Sequence, residues 1–279
     1  MRLPAQPVDE EPPAGVQIAD AEREDVQLLF HGDHSSAAAR VGLEQNGRHY
    51  REQPPPGSER HLVRCRWEQR VGTTPHVQRV IPDNCADILV TADGRAVLVG
   101  PSTHVELPRL PAGTLIRGLR FHPYAVGTAF RLDATELTDR AIDLDTVLGV
   151  AEARAVAERI WTGDLANTWQ RTEPDRATAG IVRALTSPGA PSVDAVADRA
   201  GYSPRHLRRV VRAETGLSPK TLSRVARLHD FLRAAEGGVT SLGRAAATAG
   251  YADQAHASRE IRALAGLTPR DLLAERSLG

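Results

Sequence analysis

Four arginines, Arg205, Arg208, Arg209 and Arg212, recur at helical spacing in "SPRHLRRVVRAETG". On a helix they fall on one stripe. Guanidinium groups held in a row repel one another unless an anion lies against them. Their forked donors suit phosphate oxygens and the O6/N7 edge of guanine. A solvated face laced with surface ion pairs is the plain alternative, but Glu214 is the one carboxylate close by in this segment. Other residues with chemical potential are more scattered. His61, His76, His104 and His122 with Cys65 and Cys85 lack the tight C-x-x-C or H-x-x-x-H spacing of a zinc site. No metal and no cofactor is therefore expected. Asp83 and Asp87 in "PDNCAD" are the candidate ligand-binding pair of the N-terminal half. Their plain reading is a turn residue and a hydrogen-bonded core carboxylate. Arg64 and Arg66 flank Cys65 and would favour a thiolate, but alternation along a strand turns them to the other face.

The arginine segment occurs twice. "AGYSPRHLRRVVRAETGLSP" at 200–219 returns as "AGYADQAHASREIRALAGLTP" at 249–269. The second copy carries one extra residue after its tyrosine. Each copy has the grammar of two helices joined by a tight turn. Ser192 and Ser241 can cap the first helix, and Ser203 and Asp253 the second. Gly201 and Gly250 stand where the first helix must end in a left-handed residue. Pro204 suits a first helical turn. Leu207, Val210 and Val211 then face inward in the first copy, and Ala257, Ile261 and Leu264 in the second. Arg209 and Arg212 persist as Arg259 and Arg262, whereas Arg205 and Arg208 become Ala255 and Ser258. Gln254 and His256 add polar reach. Direct base reading thus falls mainly on the first copy, with phosphate grip and sparser base contact on the second. Between the copies, Leu222, Val225, Ala226, Leu228, His229, Leu232 and Ala235 give helical periodicity over about 219–235. Such a helix, about 24 Å long, can hold two recognition helices one duplex turn apart, about 34 Å.

The elements before the repeat differ in kind. From residue 61 onward "HLVRCRW", "HVQRVIP", "CADILVT", "RAVLVG", "THVEL" and "TLIRGLRF" read as short strands, with Val63, Cys65 and Trp67 on one face of the first. The Asp-Gly pair in "TADGRA" marks a hairpin. "TVLGVAEARAVAERIWTG" reads as a helix. The fold class is α+β: a β-rich N-terminal barrel or sandwich, followed by an all-α domain of two helix-turn-helix units joined by a linker helix. The expected divisions are a disordered tail over 1–50, a sensor or dimerisation domain over 51–172, and a DNA-binding domain over 173–279. Within the last, the units span about 192–213 and 241–264, with the linker helix at about 219–235.

The formal net charge of zero conceals a skew. Residues 180–279 hold 15 Lys and Arg against 9 Asp and Glu, and the remainder 20 against 26. A basic C-terminal part on an acidic N-terminal part points to a polyanionic partner for one end only. No run approaches a membrane span, and the N-terminus lacks a secretory signal. A cytoplasmic protein with two reduced thiols is expected.

The last hundred residues resemble the DNA-binding domain of the AraC family of bacterial transcription regulators. The resemblance rests on both repeat copies, on "RL" at 227–228, and above all on the "Y-x-D-Q-x-H-x-S-R" run of the second copy. It implies base-reading roles for Arg205, Arg208 and Arg209 and for Gln254, His256 and Arg259. With His206, Arg212, Ser258 and Arg262 these make up the expected DNA-facing set. Ala257 and Ile261 depart from the bulky aromatics usual in that family. "RCRWEQ", "VIPDNCADILV", "VGPST", "IRGLRFHPYAV" and "ELTDRAIDL" are similar to an uncharacterised sensor-like domain that precedes AraC-type regions. Pro82-Asp83 and Asp87 match its Pro-Asp-Gly…Asp signature, with Asn84 in place of the glycine. The implied protein is a sequence-specific transcription regulator and not an enzyme. Its implied partners are double-stranded DNA, a small-molecule effector, a second copy of the chain and, for an activator, RNA polymerase; no membrane is involved. Two other classes stay open: DNA alkyl-group repair through a reactive cysteine, and non-specific architectural DNA binding. The first needs a Pro-Cys-His-Arg setting that neither "VRCRW" nor "DNCAD" supplies.

Overall fold

The alternating run "VRCRWEQR" becomes strand β2 (Val63–Arg70), and the N-terminal half is built around it. The computed structural model describes residues 49–165, 168–169, 172–239 and 241–278. Most of the tail expected over 1–50 lies outside them. His49 and Tyr50, which that expectation included, instead begin strand β1 (His49–Gln53), antiparallel to β2. With β4 (Asp87–Thr91), β5 (Ala96–Val99), β7 (Leu115–Phe121) and β8 (Ala141–Asp143) they form a six-stranded sheet in the order β1-β2-β7-β4-β5-β8. Every neighbouring pair is antiparallel. The Asp93-Gly94 turn closes the β4–β5 hairpin, with Gly94 at φ 85°. A separate ribbon pairs β3 (His76–Val77) with β6 (Arg109–Leu110). "THVEL" forms no strand and contributes a bridge from Glu106 to Val80.

One irregularity decides the faces of β2. Val63 pairs with Phe121 and Cys65 with Arg120, so Arg64 is an extra residue in the ladder. A bulge of this kind breaks the two-residue alternation and re-aims the side chains beside it. Val63 therefore joins the apolar cluster on the sheet's helical side, while Cys65 and Trp67 join the opposite one. The expectation that all three share a face is corrected by the bulge.

Beneath the ribbon, Leu89, Val97, Val99, Ile116 and Leu110 enclose a buried polar network. The Arg120 guanidinium, fully buried, donates from Nε to both oxygens of Asp87 at 3.1 Å. The Trp67 indole N–H donates to Asp87 Oδ1 at 2.7 Å. Asp83 Oδ2 and Glu52 Oε1 lie 3.3 and 3.8 Å from Arg120 Nη1. Burial pulls the Arg120 guanidinium well below its ordinary basicity, and three carboxylates lie around it.

On the helical side pack α1 (Val126–Phe130), α2 (Leu144–Leu148) and α3 (Val150–Thr162). The single helix expected from "TVLGVAEARAVAERIWTG" is split into α2 and α3 by Gly149, at φ 79°. Then come α4 (Arg176–Thr186), α5 (Val193–Ala200), α6 (Pro204–Thr215), α7 (Pro219–Glu236), α8 (Leu242–Thr248), α9 (Gln254–Ala265) and α10 (Pro269–Leu278).

The apolar core does not stop at the domain boundary expected near 172. One cluster joins Ile88, Leu119 and Phe121 of the sheet to Val182 and Leu185 of α4, Leu207 and Val211 of α6, and Leu222 of α7. A second cluster holds Leu228, Phe231, Tyr251, Ala257, Ile261 and Leu264, and Ile81 from the N-terminal half plugs into it. Phe231 and Tyr251 supply the aromatic bulk that Ala257 and Ile261 do not.

Removing one member of a buried ion pair strands the other, at a cost of about 3–5 kcal/mol. Arg120→Met is expected to lose stability of that order in chemical denaturation of the full chain. The double substitution Arg120→Met/Asp87→Leu should recover much of it. A single-substitution loss under about 1 kcal/mol would show that the network contributes little.

Candidate nucleic-acid interface

In the first copy, Ser192 Oγ accepts from Ala195 N–H at 3.2 Å and so caps α5. The helix ends at Gly201, whose φ of 67° is open to glycine without strain. Ser203 Oγ then accepts from His206 N–H at 3.2 Å, and Pro204 fills the first turn of α6. The second copy repeats this device. Ser241 Oγ accepts from Arg244 N–H at 3.3 Å, Gly250 has φ 78°, and Asp253 Oδ1 accepts from His256 N–H at 2.6 Å. The extra residue of that copy, Ala252, is absorbed in the turn between Tyr251 and the Asp253 cap.

The helix after each turn has a sealed inner face. Leu207 and Val211 on α6, and Ala257, Ile261 and Leu264 on α9, are buried; Val210 is half-buried. Arg205, Arg208, Arg209 and Arg212 are all exposed along the outer face of α6. On α9, Gln254, Arg259 and Arg262 are exposed, and His256 and Ser258 are half-buried.

Glu214, the carboxylate nearest the stripe in sequence, is turned away from it. It accepts from the Thr128 N–H at 3.0 Å and the Thr128 hydroxyl at 2.8 Å, both on α1. Burial raises its carboxyl above the ordinary glutamate range. Among the described residues none of the four α6 arginines has a carboxylate partner. The stripe is therefore an uncompensated row of cations on a rigid rod. α9 differs, because Glu260 binds Arg224 at 2.8 Å and Arg227 at 3.7 Å on α7. That carboxylate clamps the second unit to the linker helix.

The two histidines have a role that their sequence spacing did not reveal. His206 stands edge-on to Tyr202, with centroids 4.4 Å apart, and His256 edge-on to Tyr251 at 5.5 Å. The tyrosine that follows each turn glycine is thus the seat of the histidine in the next helix. From there His206 Nδ1 accepts from Arg209 Nη2 at 3.3 Å and aims that guanidinium. His256 Nδ1 accepts from the Ala252 N–H at 3.4 Å. The Ser258 hydroxyl is spent on the Gln254 carbonyl at 2.8 Å.

Asp83 and Asp87 lie elsewhere. Asp87 is fully buried against Arg120 and Trp67. Asp83 borders a cleft between the two halves, with Oδ1 accepting from the Cys85 N–H at 2.9 Å. Asn84 has φ 69°, which explains why glycine is usual there and why asparagine is tolerated. Burial pushes the Cys65 and Cys85 thiols up, away from the thiolate form.

The N-terminal half grips both units. Asn84 Nδ2 donates to the Leu222 carbonyl at 3.1 Å, and His229 Nε2 to the Pro82 carbonyl at 2.7 Å. The Thr138 hydroxyl donates to the Gly216 carbonyl at 2.9 Å. Arg79 donates to the Ala265 carbonyl at 3.0 Å and to Glu275 at 2.8 Å.

The families that match this chain divide it where the sheet and the paired helices do. Residues 196–275 match the family described as "Helix-turn-helix domain", of the AraC type. Residues 51–143 match a domain of unknown function, DUF6597. No curated protein matches the chain. Among solved structures, the C-terminal domain of AraT, a response regulator from Geobacillus stearothermophilus, is 22% identical. The match covers 36% of this chain and 83% of that one, with a TM-score of 0.32. ToxT from Vibrio cholerae O395 is 10% identical over 74% of this chain and 95% of its own, with a TM-score of 0.38. An apo variant of ToxT from Vibrio cholerae strain SCE256 is 11% identical over 75% and 96%, with a TM-score of 0.37.

Glu214→Ala deletes two hydrogen bonds to a carboxylate, each worth roughly 1.5–3 kcal/mol. The full chain should melt at a lower temperature by calorimetry, with α6 arginine exposure unchanged. An unaltered melting temperature would mean that α1 does not hold α6.

Proposed function

We propose that this chain, in which an AraC-type helix-turn-helix domain follows a domain of unknown function, is a sequence-specific DNA-binding transcription regulator. The observation that carries the reading is the stripe of four exposed, carboxylate-free arginines on α6, set behind a capped left-handed turn that recurs before α9. A rod of this width enters the major groove, and its N-terminal residues meet base edges. The linker helix α7 has 18 residues, and at about 1.5 Å each it spans roughly 27 Å. That length is of the order needed to set α6 and α9 in successive major-groove segments on one side of the duplex.

The base-reading residues are Arg205, Arg208 and Arg209 on α6 and Gln254 and Arg259 on α9. His206 and His256 work chiefly by seating on their tyrosines, which fixes the outer face beside them. Arg212 and Arg262 grip phosphate, and Ser258 contributes least because its hydroxyl is already bonded within the helix. The high-lying thiols weigh against a cysteine-based repair reaction. The N-terminal half acts as the regulatory part, through a small molecule, a second copy of the chain, or both. Contact with RNA polymerase follows if the protein activates.

Footprinting on promoters neighbouring the coding region would identify the site. On that site Arg209→Ala should cost about 1–3 kcal/mol of discrimination against a scrambled sequence. Arg259→Ala should cost less discrimination than that, because the second copy makes sparser base contact. Equal loss of discrimination in the two variants would overturn the division of labour. Equal affinity of the parent for site and scramble would overturn sequence-specific reading.

A further inference from the structure

A cleft of about 430 Å³ opens between the sheet and the helical region. Its size is toward the lower end for small-molecule sites, roughly 300–1,000 Å³. Its walls come from both halves: Arg64, Asp83, Asn84, His122 and Tyr124 on one side, and Arg183, His229 and Arg233 on the other. We propose that this cleft binds a small, doubly charged oxyanion, held by Arg64 on the sheet and by Arg183 and Arg233 on helices α4 and α7.

The charge balance favours an anion. Arg64 is the bulge residue of β2, so the irregularity in the ladder is what delivers its guanidinium here. Its partner is soft: Nη1 donates to Cys85 Sγ at 3.6 Å. Arg183 lies 4.1 Å from the centre of the Tyr124 ring. Among the described residues neither Arg64 nor Arg183 forms an ion pair with a carboxylate. Arg233 is partly neutralised by Asp230. Asp83, the acid that lines the cleft, is turned toward Arg120 and the Cys85 N–H. His122 stacks on Tyr124 with centroids 4.8 Å apart. Burial, with Arg64 and Arg183 adding to it, pushes its imidazole down to about 4, as a cationic surrounding would. Asn84 Oδ1 is buried, has no hydrogen-bond partner among the described residues, and can accept from a hydroxyl on the same ligand.

The location gives such a ligand leverage. Asp83 and Asn84 belong to the segment that holds the linker helix through Leu222 and His229, and the second unit through Ile81 and Arg79. An anion that draws Arg64 toward Arg183 and Arg233 presses the two halves together. Its differential affinity for closed and open arrangements is then a handle on how α6 and α9 are set. This regulatory half rests on the DNA-binding reading; the anion site does not.

Titration calorimetry on the full chain, without DNA, tests the site with two probes: inorganic pyrophosphate for phosphoryl ligands and malate for hydroxy-dicarboxylates. At least one should bind, and Arg64→Gln and Arg183→Gln should each weaken it roughly tenfold or more. Arg51→Gln, in a different cleft, should leave it unchanged. Circular dichroism melts would show that the variants, all at exposed positions, remain folded. No binding of either probe at millimolar concentration overturns the site. So does binding that survives both substitutions but is lost in Arg209→Ala, which would place the anion on the arginine stripe. The bound probe should then shift affinity for the footprinted DNA by about fivefold or more. An unshifted affinity sinks the regulatory half and leaves the site standing; absence of any DNA binding sinks the functional reading instead.

Discussion

Helix α6 has one free face because every other side of it is committed. Leu207 and Val211 are sunk in an apolar seam that runs unbroken from the sheet, and Glu214 is held by Thr128. Gly127 lets α1 come so near that a side-chain carbon there would sit 2.7 Å from the Ala213 carbonyl oxygen. What remains is the arginine stripe. Exposed ion pairs are worth little, so a row of arginines left without carboxylates costs the fold little and stays open to an anionic surface from outside.

The two copies share a sequence pattern and differ in how they are fastened. The first is part of the sheet's core. The second shares its own core with the linker helix through Val225, Leu228, Phe231 and Leu232, and is hooked to the N-terminal half through Ile81 and Arg79. Direct burial resists displacement over its whole area, whereas a hook yields when its few bonds are exchanged. The first unit is thus fastened to the N-terminal half over more apolar surface than the second. That asymmetry matches the distribution of exposed arginines, four on α6 and two on α9.

The repeat was the most legible feature of the sequence, because a capping serine, a turn glycine and a periodic inner face are local rules. Ser192, Gly201, Ser203 and their second-copy counterparts behave as those rules require. The β-rich half was legible as strands but not as faces. Nothing local in "VRCRW" announces that Arg64 is surplus to the ladder; the bulge is fixed by what Phe121 and Arg120 need on their own sides of the sheet. Gly149 was visible as a glycine but not as the break between two helices. The roles of Tyr202 and Tyr251 as seats for histidines, and of Glu214 as a tie to α1, depend on pairings that only tertiary structure creates. Asp83 and Asp87 stood out by type and spacing, yet their different surroundings, one at a cleft and one sealed on Arg120, could not be separated in the sequence.

The seam between sheet and helices also bears on how such a chain can be rearranged. Because Val182, Leu185, Leu207 and Val211 share one oily interior with Ile88, Leu119 and Phe121, grafting the C-terminal part onto an unrelated front end would uncover those four side chains. Its detached surface would be greasy where the graft must be wet. Shuffling that keeps the pair intact is tolerated by the physics; swapping one without the other demands a new lining on both sides of the cut.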